Sequence, residues 1–68
     1  MRISARNQLK GTVVEVRRGQ TTAHIRIELS PGSIITSSIT NEAVDELGLK
    51  PGDSVTAIIK ASDVMVGK

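Results

Sequence analysis

Apolar and polar residues alternate over the first half of the chain with the two-residue period that is typical of half-buried β-strands. The alternation is clearest in the second of three predicted strands, where every second residue from Ala23 to Leu29 is apolar. In the first strand, Val14 and Val16 are predicted to share a face, with Val13 on the opposite face. The predicted strands are residues 9–17, 21–29 and 33–39, separated by turns at residues 18–20 and 30–32.

The periodicity then changes to that of a short helix. Thr40 is a suitable N-cap, and acidic residues follow it in the first turns. Ala43, Val44 and Leu47 fall on one side of the predicted helix, and Gly48 is typical of the residue that follows a helix C-terminus. These residues predict one helix of about two turns.

Two further strands are predicted after the helix, at residues 54–60 and 63–66, with a turn at residues 49–53 and a hinge at residues 61–62. The resulting order, β-β-β-α-β-β, is that of the OB-fold, a partly open Greek-key barrel. The sequence therefore predicts an all-β protein: a five-stranded OB-like barrel with one short helix between strands 3 and 4. A single domain spans residues 1–68. An SH3-like barrel is the main alternative, although it does not require a capped helix at this point.

The composition indicates that this small domain associates with further copies of itself. The chain has 68 residues, of which 38% are hydrophobic, and it contains no Phe, Tyr, Trp or Cys. One small core supplies only about 3–5 kcal/mol, so chains of this size commonly need disulfides, a metal or partner subunits. The absence of Cys excludes disulfides, and the single His24 excludes a histidine-rich metal site within one chain. Self-association is therefore the remaining way to stabilise a chain of this size.

The charge balance argues against a polyanion as the partner, and the absence of a long apolar run argues against a membrane-spanning segment. The net charge is only +2, and no aromatic side chain is present on which bases could stack, as they do in unspecific single-strand binding. An OB-type nucleic-acid-binding module is nevertheless kept as the alternative function. The chain has no run of 18 apolar residues, and its first residues lack the apolar region of a signal peptide. We expect a cytoplasmic protein with no membrane partner.

The sequence offers no catalytic set, and we expect a protein that is not an enzyme. Nucleophilic catalysis needs a nucleophile beside a base. The only histidine, His24, lies in the middle of a predicted strand between Ala23 and Ile25. It is interpreted as an exposed or inter-subunit strand residue, with a ligand-binding or pH-sensing role as the alternative.

Three fragments of the chain instead suit an oxyanion. Ser4 and Arg6 project to the same side of an extended segment and combine a hydroxyl with a guanidinium. Thr40 opens the helix, where unpaired N–H groups favour negative charge. Residues 60–62 supply an ammonium, a backbone N–H and another hydroxyl. A basic pair at residues 17–18 is either a further anion site on a symmetry axis or a solvated hairpin tip.

The order of these fragments resembles that of the Mop, or molbindin, family of small molybdate-binding proteins. The resemblance covers essentially the whole chain, and its first and last motifs are specific when they occur together. The matching stretches are residues 4–11, residues 39–40 at the start of the helix, residues 46–49 at its end, residues 51–52 and residues 59–66.

The resemblance implies an OB-like β-barrel that assembles as a hexamer, a trimer of dimers. It implies molybdate or tungstate as the bound ligand at subunit interfaces, with no organic cofactor and no side chain that coordinates the metal directly. The implied role is intracellular molybdenum storage and homeostasis. Relatives often carry a serine at the position of Ala43, so the resemblance implies that only a backbone N–H is offered there. By position, the implied oxyanion-binding residues are Ser4, Arg6, Thr40, Ala43, Lys60, Ala61 and Ser62.

Overall fold

The computed structural model describes residues 1–68 as four β-strands and one α-helix, which confirms the predicted elements as far as the fourth strand. The four strands form a single antiparallel sheet in the order β3-β2-β1-β4, so that β3 and β4 are its two edges. The only α-helix, α1, is too short to cross a membrane. The elements in chain order are β1 (Asn7–Arg18), β2 (Thr22–Ser30), β3 (Ser33–Thr40), α1 (Asn41–Leu47), β4 (Ser54–Ile59) and a 3-10 turn (Ala61–Asp63).

The core lies on the inner face of the sheet and is small. The alternation predicted for β2 is confirmed, because its apolar residues from Ala23 to Ile27 are buried while the residues between them are exposed. From α1 only Val44 reaches this core, beside the inner faces of the strands. The buried residues are Val13, Ala23, Ile25, Ile27, Val44 and Ala57.

The pairing of β1 with β2 is irregular in the middle of β1. The prediction that Val14 and Val16 share a face is therefore wrong. The register with β2 shifts between Val13 and Glu15, so Val14 is an extra residue in a β-bulge. Val13 is therefore buried, Val16 packs against the core, and Val14 is 41% exposed. A strict two-residue period cannot anticipate a bulge, because the inserted residue reverses the facing of every residue beyond it.

The predicted fifth strand, residues 63–66, is not observed in this chain, and the sheet is not closed into a barrel. Directly after β4 the chain makes the 3-10 turn, and the apolar residues that follow are unpaired. Val64, Met65 and Val66 are 51%, 94% and 93% exposed. An extended segment gains strand hydrogen bonds only beside another strand edge, and this segment lies beside none within its own chain.

Candidate functional site

Two of the three predicted fragments flank the residue pair that joins the start of β1 to the end of β4. The first residue of β1, Asn7, pairs with the last residue of β4, Ile59, and its side-chain Nδ2 donates to the Ile59 carbonyl oxygen at 3.2 Å. Arg6 directly precedes this pair and Lys60 directly follows it. Antiparallel pairing thus joins the two ends of the chain. We call the group formed by Ser4, Arg6, Lys60, Ala61 and Ser62 the β1–β4 cluster.

The side-chain polar groups of the β1–β4 cluster make no hydrogen bond or ion pair within the chain. All five residues are exposed, and neither Arg6 nor Lys60 forms an ion pair with a carboxylate. The 3-10 turn uses the N–H groups of Asp63 and Val64, whereas those of Ala61 and Ser62 have no backbone acceptor. The cluster therefore offers two cations, two hydroxyls and two backbone N–H donors to an acceptor.

Thr40 forms the predicted N-cap of α1. Its Oγ1 accepts a hydrogen bond from the Ala43 backbone N–H at 3.0 Å, and Gly48 ends the helix in the left-handed conformation with φ of 62°. The Ala43 N–H is therefore engaged within the chain, while the Thr40 hydroxyl keeps its own hydrogen for donation.

Thr40 and Ala43 do not meet the β1–β4 cluster within one chain. Thr40 pairs with Thr22 at the start of β2, which lies beside the C-terminal end of β1 near Arg18. The β1–β4 cluster lies at the opposite, N-terminal end of the same strand of 12 residues. No hydrogen bond or ion pair connects the two groups.

The basic pair at residues 17–18 is matched by acids of the same chain. Arg18 forms an ion pair with Asp45 of α1, and Arg17 lies 3.7 Å from Glu15, which lies at the same distance from Arg26. The cross-strand register brings Arg26 to Glu15, and the position of α1 brings Asp45 to Arg18, so sequence spacing reveals neither pair; Glu15 and Arg17 are neighbours on one strand. Because both arginines of the pair already lie beside carboxylates, the arrangement favours the solvated hairpin tip over a second anion site.

His24 lies on the outer face of β2 and is exposed to solvent. This agrees with its interpretation as an exposed strand residue. Its neighbours in the sheet are Arg17 of β1 and Ser38 of β3. No group of three or more histidine, aspartate or glutamate side chains is arranged to bind a metal ion directly.

An apolar groove that the sequence did not predict opens between the two edges of the sheet. Its volume is about 340 Å³, and its lining is mostly aliphatic. Ile35 and Ile39 of β3 form one wall, and Val55 and Ile59 of β4 form the other. Such a surface suits an apolar peptide segment and does not suit an anion.

The sequence matches one family model and closely similar proteins over nearly its whole length. Residues 3–66 match the TOBE domain. The chain is 52% identical over 66 residues to molybdenum-pterin-binding protein 1 of Clostridium pasteurianum, and the match covers 97% of each chain.

Two solved structures share the fold of this chain. A molybdate-binding protein from Sporomusa ovata has a TM-score of 0.93 and 41% identity, with each chain fully covered. The cytoplasmic molybdate-binding protein ModG, solved with molybdate bound, has a TM-score of 0.90 and 52% identity. That match covers 96% of this chain but 46% of ModG, so the chain spans about half of ModG's length.

Proposed function

We propose that this chain, which belongs to the TOBE domain family together with the small molybdenum-pterin-binding proteins, binds molybdate or tungstate between two copies of itself. The observation that carries the proposal is the β1–β4 cluster. It gathers two unpaired cations with hydroxyl and N–H donors, and it does so in a chain that is 52% identical to a molybdenum-pterin-binding protein.

The donors of the cluster match the chemistry of molybdate, a tetrahedral dianion whose oxygens accept hydrogen bonds. In this proposal Arg6 and Lys60 balance the charge, and Ser4, Ala61 and Ser62 add neutral donors. Hydrogen bonds to charged groups contribute about 1.5–3 kcal/mol each, so five or six would suffice for roughly micromolar affinity. Such bonds are strong only where water is excluded. Because the cluster is exposed in one chain, a second copy must cover it.

The sheet edges indicate how a second copy attaches. Neither β3 nor β4 contains a charged residue, although edge strands commonly carry charges that prevent pairing with other chains. The groove between them is apolar, and the exposed tail from Val64 to Val66 is apolar as well. We propose that residues 63–66 of a second copy lie along these edges and supply the fifth strand of the OB-like barrel.

This arrangement also accounts for Thr40 and Ala43. They lie at the other end of β1 from the β1–β4 cluster, so they can contribute to an anion site only together with residues of another copy. The Thr40 hydroxyl would donate directly, whereas the Ala43 N–H would have to share its hydrogen with Thr40 Oγ1. We propose a hexamer, a trimer of dimers, that serves cytoplasmic molybdenum storage and homeostasis as a binding protein without catalytic activity.

The proposed donor set discriminates among tetrahedral anions. Molybdate and tungstate have the same charge and nearly the same size, so they should compete for one site. Sulfate is smaller and would leave donors of a rigid site too far away. Phosphate near neutral pH often carries a proton, and a site built only of donors leaves that proton without an acceptor. An unsatisfied buried polar group costs about 1–3 kcal/mol, which is tenfold or more in affinity.

Calorimetric titration of the protein with molybdate, tungstate, sulfate and a short single-stranded oligonucleotide tests the proposal. We expect binding of molybdate and tungstate at a shared site, at least tenfold weaker sulfate binding, and no heat with the oligonucleotide. Binding of the oligonucleotide without molybdate binding would instead establish the nucleic-acid alternative. Equal affinity for sulfate and molybdate would contradict the proposed selectivity.

A further inference from the structure

We infer that Asn41 is a positioning residue, which fixes the Thr40 hydroxyl by tying the start of α1 to the turn between β1 and β2. The inference rests on the proposed function, in which Thr40 donates its hydroxyl hydrogen to the anion. It assigns a role to a residue that has no direct part in the proposed site.

Asn41 makes two hydrogen bonds to the turn between β1 and β2. Its backbone N–H donates to the Thr21 carbonyl oxygen at 2.8 Å, and its side-chain Nδ2 donates to the Gly19 carbonyl oxygen at 2.9 Å. The turn is compact, because the Gly19 N–H donates to the Thr22 carbonyl oxygen at 2.7 Å. One residue thus anchors α1 to a closed turn through both its backbone and its side chain.

The orientation of the Asn41 amide is fixed by this contact. A reversed amide would bring Oδ1 against the Gly19 carbonyl oxygen, and two acceptors repel each other. In the orientation that results, Oδ1 is buried and has no hydrogen-bond partner. An unpaired buried oxygen destabilises the fold, and asparagine is a weaker helix former than alanine or glutamate. Helix stability therefore does not explain asparagine at this position, whereas the tie to Gly19 does.

Besides Asn41, the start of α1 is held by the pairing of Thr40, the last residue of β3, with Thr22 of β2, and by few side chains. Val44 is the only buried residue of the helix, and Leu47 is 68% exposed. The ion pair between Arg18 and Asp45 is solvent-exposed, so it contributes little. Because the Asn41 N–H and the Thr40 carbonyl belong to one peptide unit, a rotation of the Asn41 backbone turns the C-terminal side of Thr40. It also shifts the bond that Thr40 Oγ1 accepts from Ala43, and with it the direction of the hydroxyl hydrogen.

A double-mutant cycle on the full chain separates positioning from general stability. We expect Asn41→Ala to lower molybdate affinity roughly tenfold, and to lower it little further when Thr40→Val is already present, because the two residues act through one hydroxyl. Gln20→Ala is the matched control, since Gln20 lies in the same turn and makes no hydrogen bond. Additive losses in the cycle, or unchanged affinity of Asn41→Ala, would overturn the inference.

A second variant, Asn41→Asp, keeps the inference testable if Asn41→Ala does not fold. It removes the donor to Gly19, while a carboxylate in the first turn favours the helix. We expect a loss of molybdate affinity at least as large as in Asn41→Ala, because the new carboxylate also repels the dianion. An Asn41→Asp protein that binds like the unaltered protein would contradict the inference.

Amide hydrogen exchange at Ala43 supplies a readout that needs no ligand. The Ala43 N–H is bonded to Thr40 Oγ1, so its exchange rate reports how firmly the cap is held. We expect faster exchange in both Asn41 variants and no change in Gln20→Ala. If the unaltered protein bound no molybdate while Ala43 exchange still responded, the proposed function would fail and the positioning of Thr40 would stand. Unchanged exchange would overturn the positioning.

Discussion

Among the residues of the proposed site, Arg6 is the one whose substitution has the most specific expected effect. A guanidinium can donate two parallel hydrogen bonds to one oxyanion, which an exposed surface charge elsewhere cannot replace. Arg6→Ala should lower molybdate affinity at least tenfold in calorimetric titration, while light scattering shows an unchanged assembly. Arg2→Ala is the matched control, because Arg2 is also exposed and unpaired but lies outside the β1–β4 cluster.

The control separates local contact from overall charge. Both substitutions remove one positive charge near the N-terminus, so a purely long-range attraction would make the two losses equal. Equal losses, or an unchanged affinity in Arg6→Ala, would therefore exclude Arg6 from the anion site.

At the residue scale, the sequence indicated which residues carry hydrogen-bond donors, but it did not indicate which other residues lie beside them in the fold. The hydroxyls and cations of the three fragments could be recognised from spacing alone, as could the N-cap role of Thr40, which the structure confirms. The pairing of Asn7 with Ile59, which unites two of the fragments, depends on a contact between the two ends of the chain. The pairing of Arg18 with Asp45 likewise follows only from how α1 lies beside the hairpin.

At the scale of elements, Gly11 is a position of β1 where β2 leaves no room for a side chain. A Cβ at this position would lie 2.6 Å from Ile27 Cγ2 and 2.7 Å from the Glu28 carbonyl oxygen. Backbone atoms of a paired strand cannot move aside easily, so Gly11→Ala should lower the free energy of unfolding by about 1–3 kcal/mol. Urea unfolding at a fixed protein concentration measures this change.

Gly67→Ala provides the comparison for Gly11→Ala. A Cβ at Gly67 would meet nothing within 4 Å, so this change should leave the unfolding midpoint nearly unaltered. A midpoint for Gly11→Ala as high as that for Gly67→Ala would mean that β1 and β2 lie farther apart than the structure describes.

Period and turn chemistry predicted the four strands and the helix because each of these elements carries its own local signal. The start of β1 was missed because Asn7 and Gln8 are polar and are extended only through their pairing with β4. Val14 was misassigned because its bulge is a feature of the pairing of β1 with β2, which the local sequence pattern does not reveal. Residues 63–66 have the pattern of a strand, but they pair with neither edge of the sheet in their own chain, and a strand needs such a pairing.

The whole molecule is defined by how little of it is buried. Only six of 68 residues are buried, and all six are aliphatic. Both sheet edges are uncharged, the groove between them is apolar, and three apolar tail residues are exposed. These features are complementary. An association that buries the tail in the groove would enlarge a core that is small for an independent domain.

The tail residue Val66 tests this association directly. It is 93% exposed, so Val66→Asp removes almost no contact within the chain. If the tail of one copy lies in the groove of another, the new carboxylate would be buried among aliphatic side chains, at a cost that the interface cannot offset. Light scattering should then show the mass falling towards the 7.2 kDa of one chain.

Val14→Asp makes the same substitution at a bulge residue of β1 that is also exposed, and it should leave the assembly intact. Molybdate affinity should fall with the mass in Val66→Asp, because Lys60 and Ser62 belong to the same chain end as the tail and would lose the cover that the proposed second copy supplies. An unaltered protein that is a stable monomer, or a Val66→Asp variant that retains its full mass, would break the link between assembly and anion binding. If mass and affinity fall together, the surface that completes the core also completes the site.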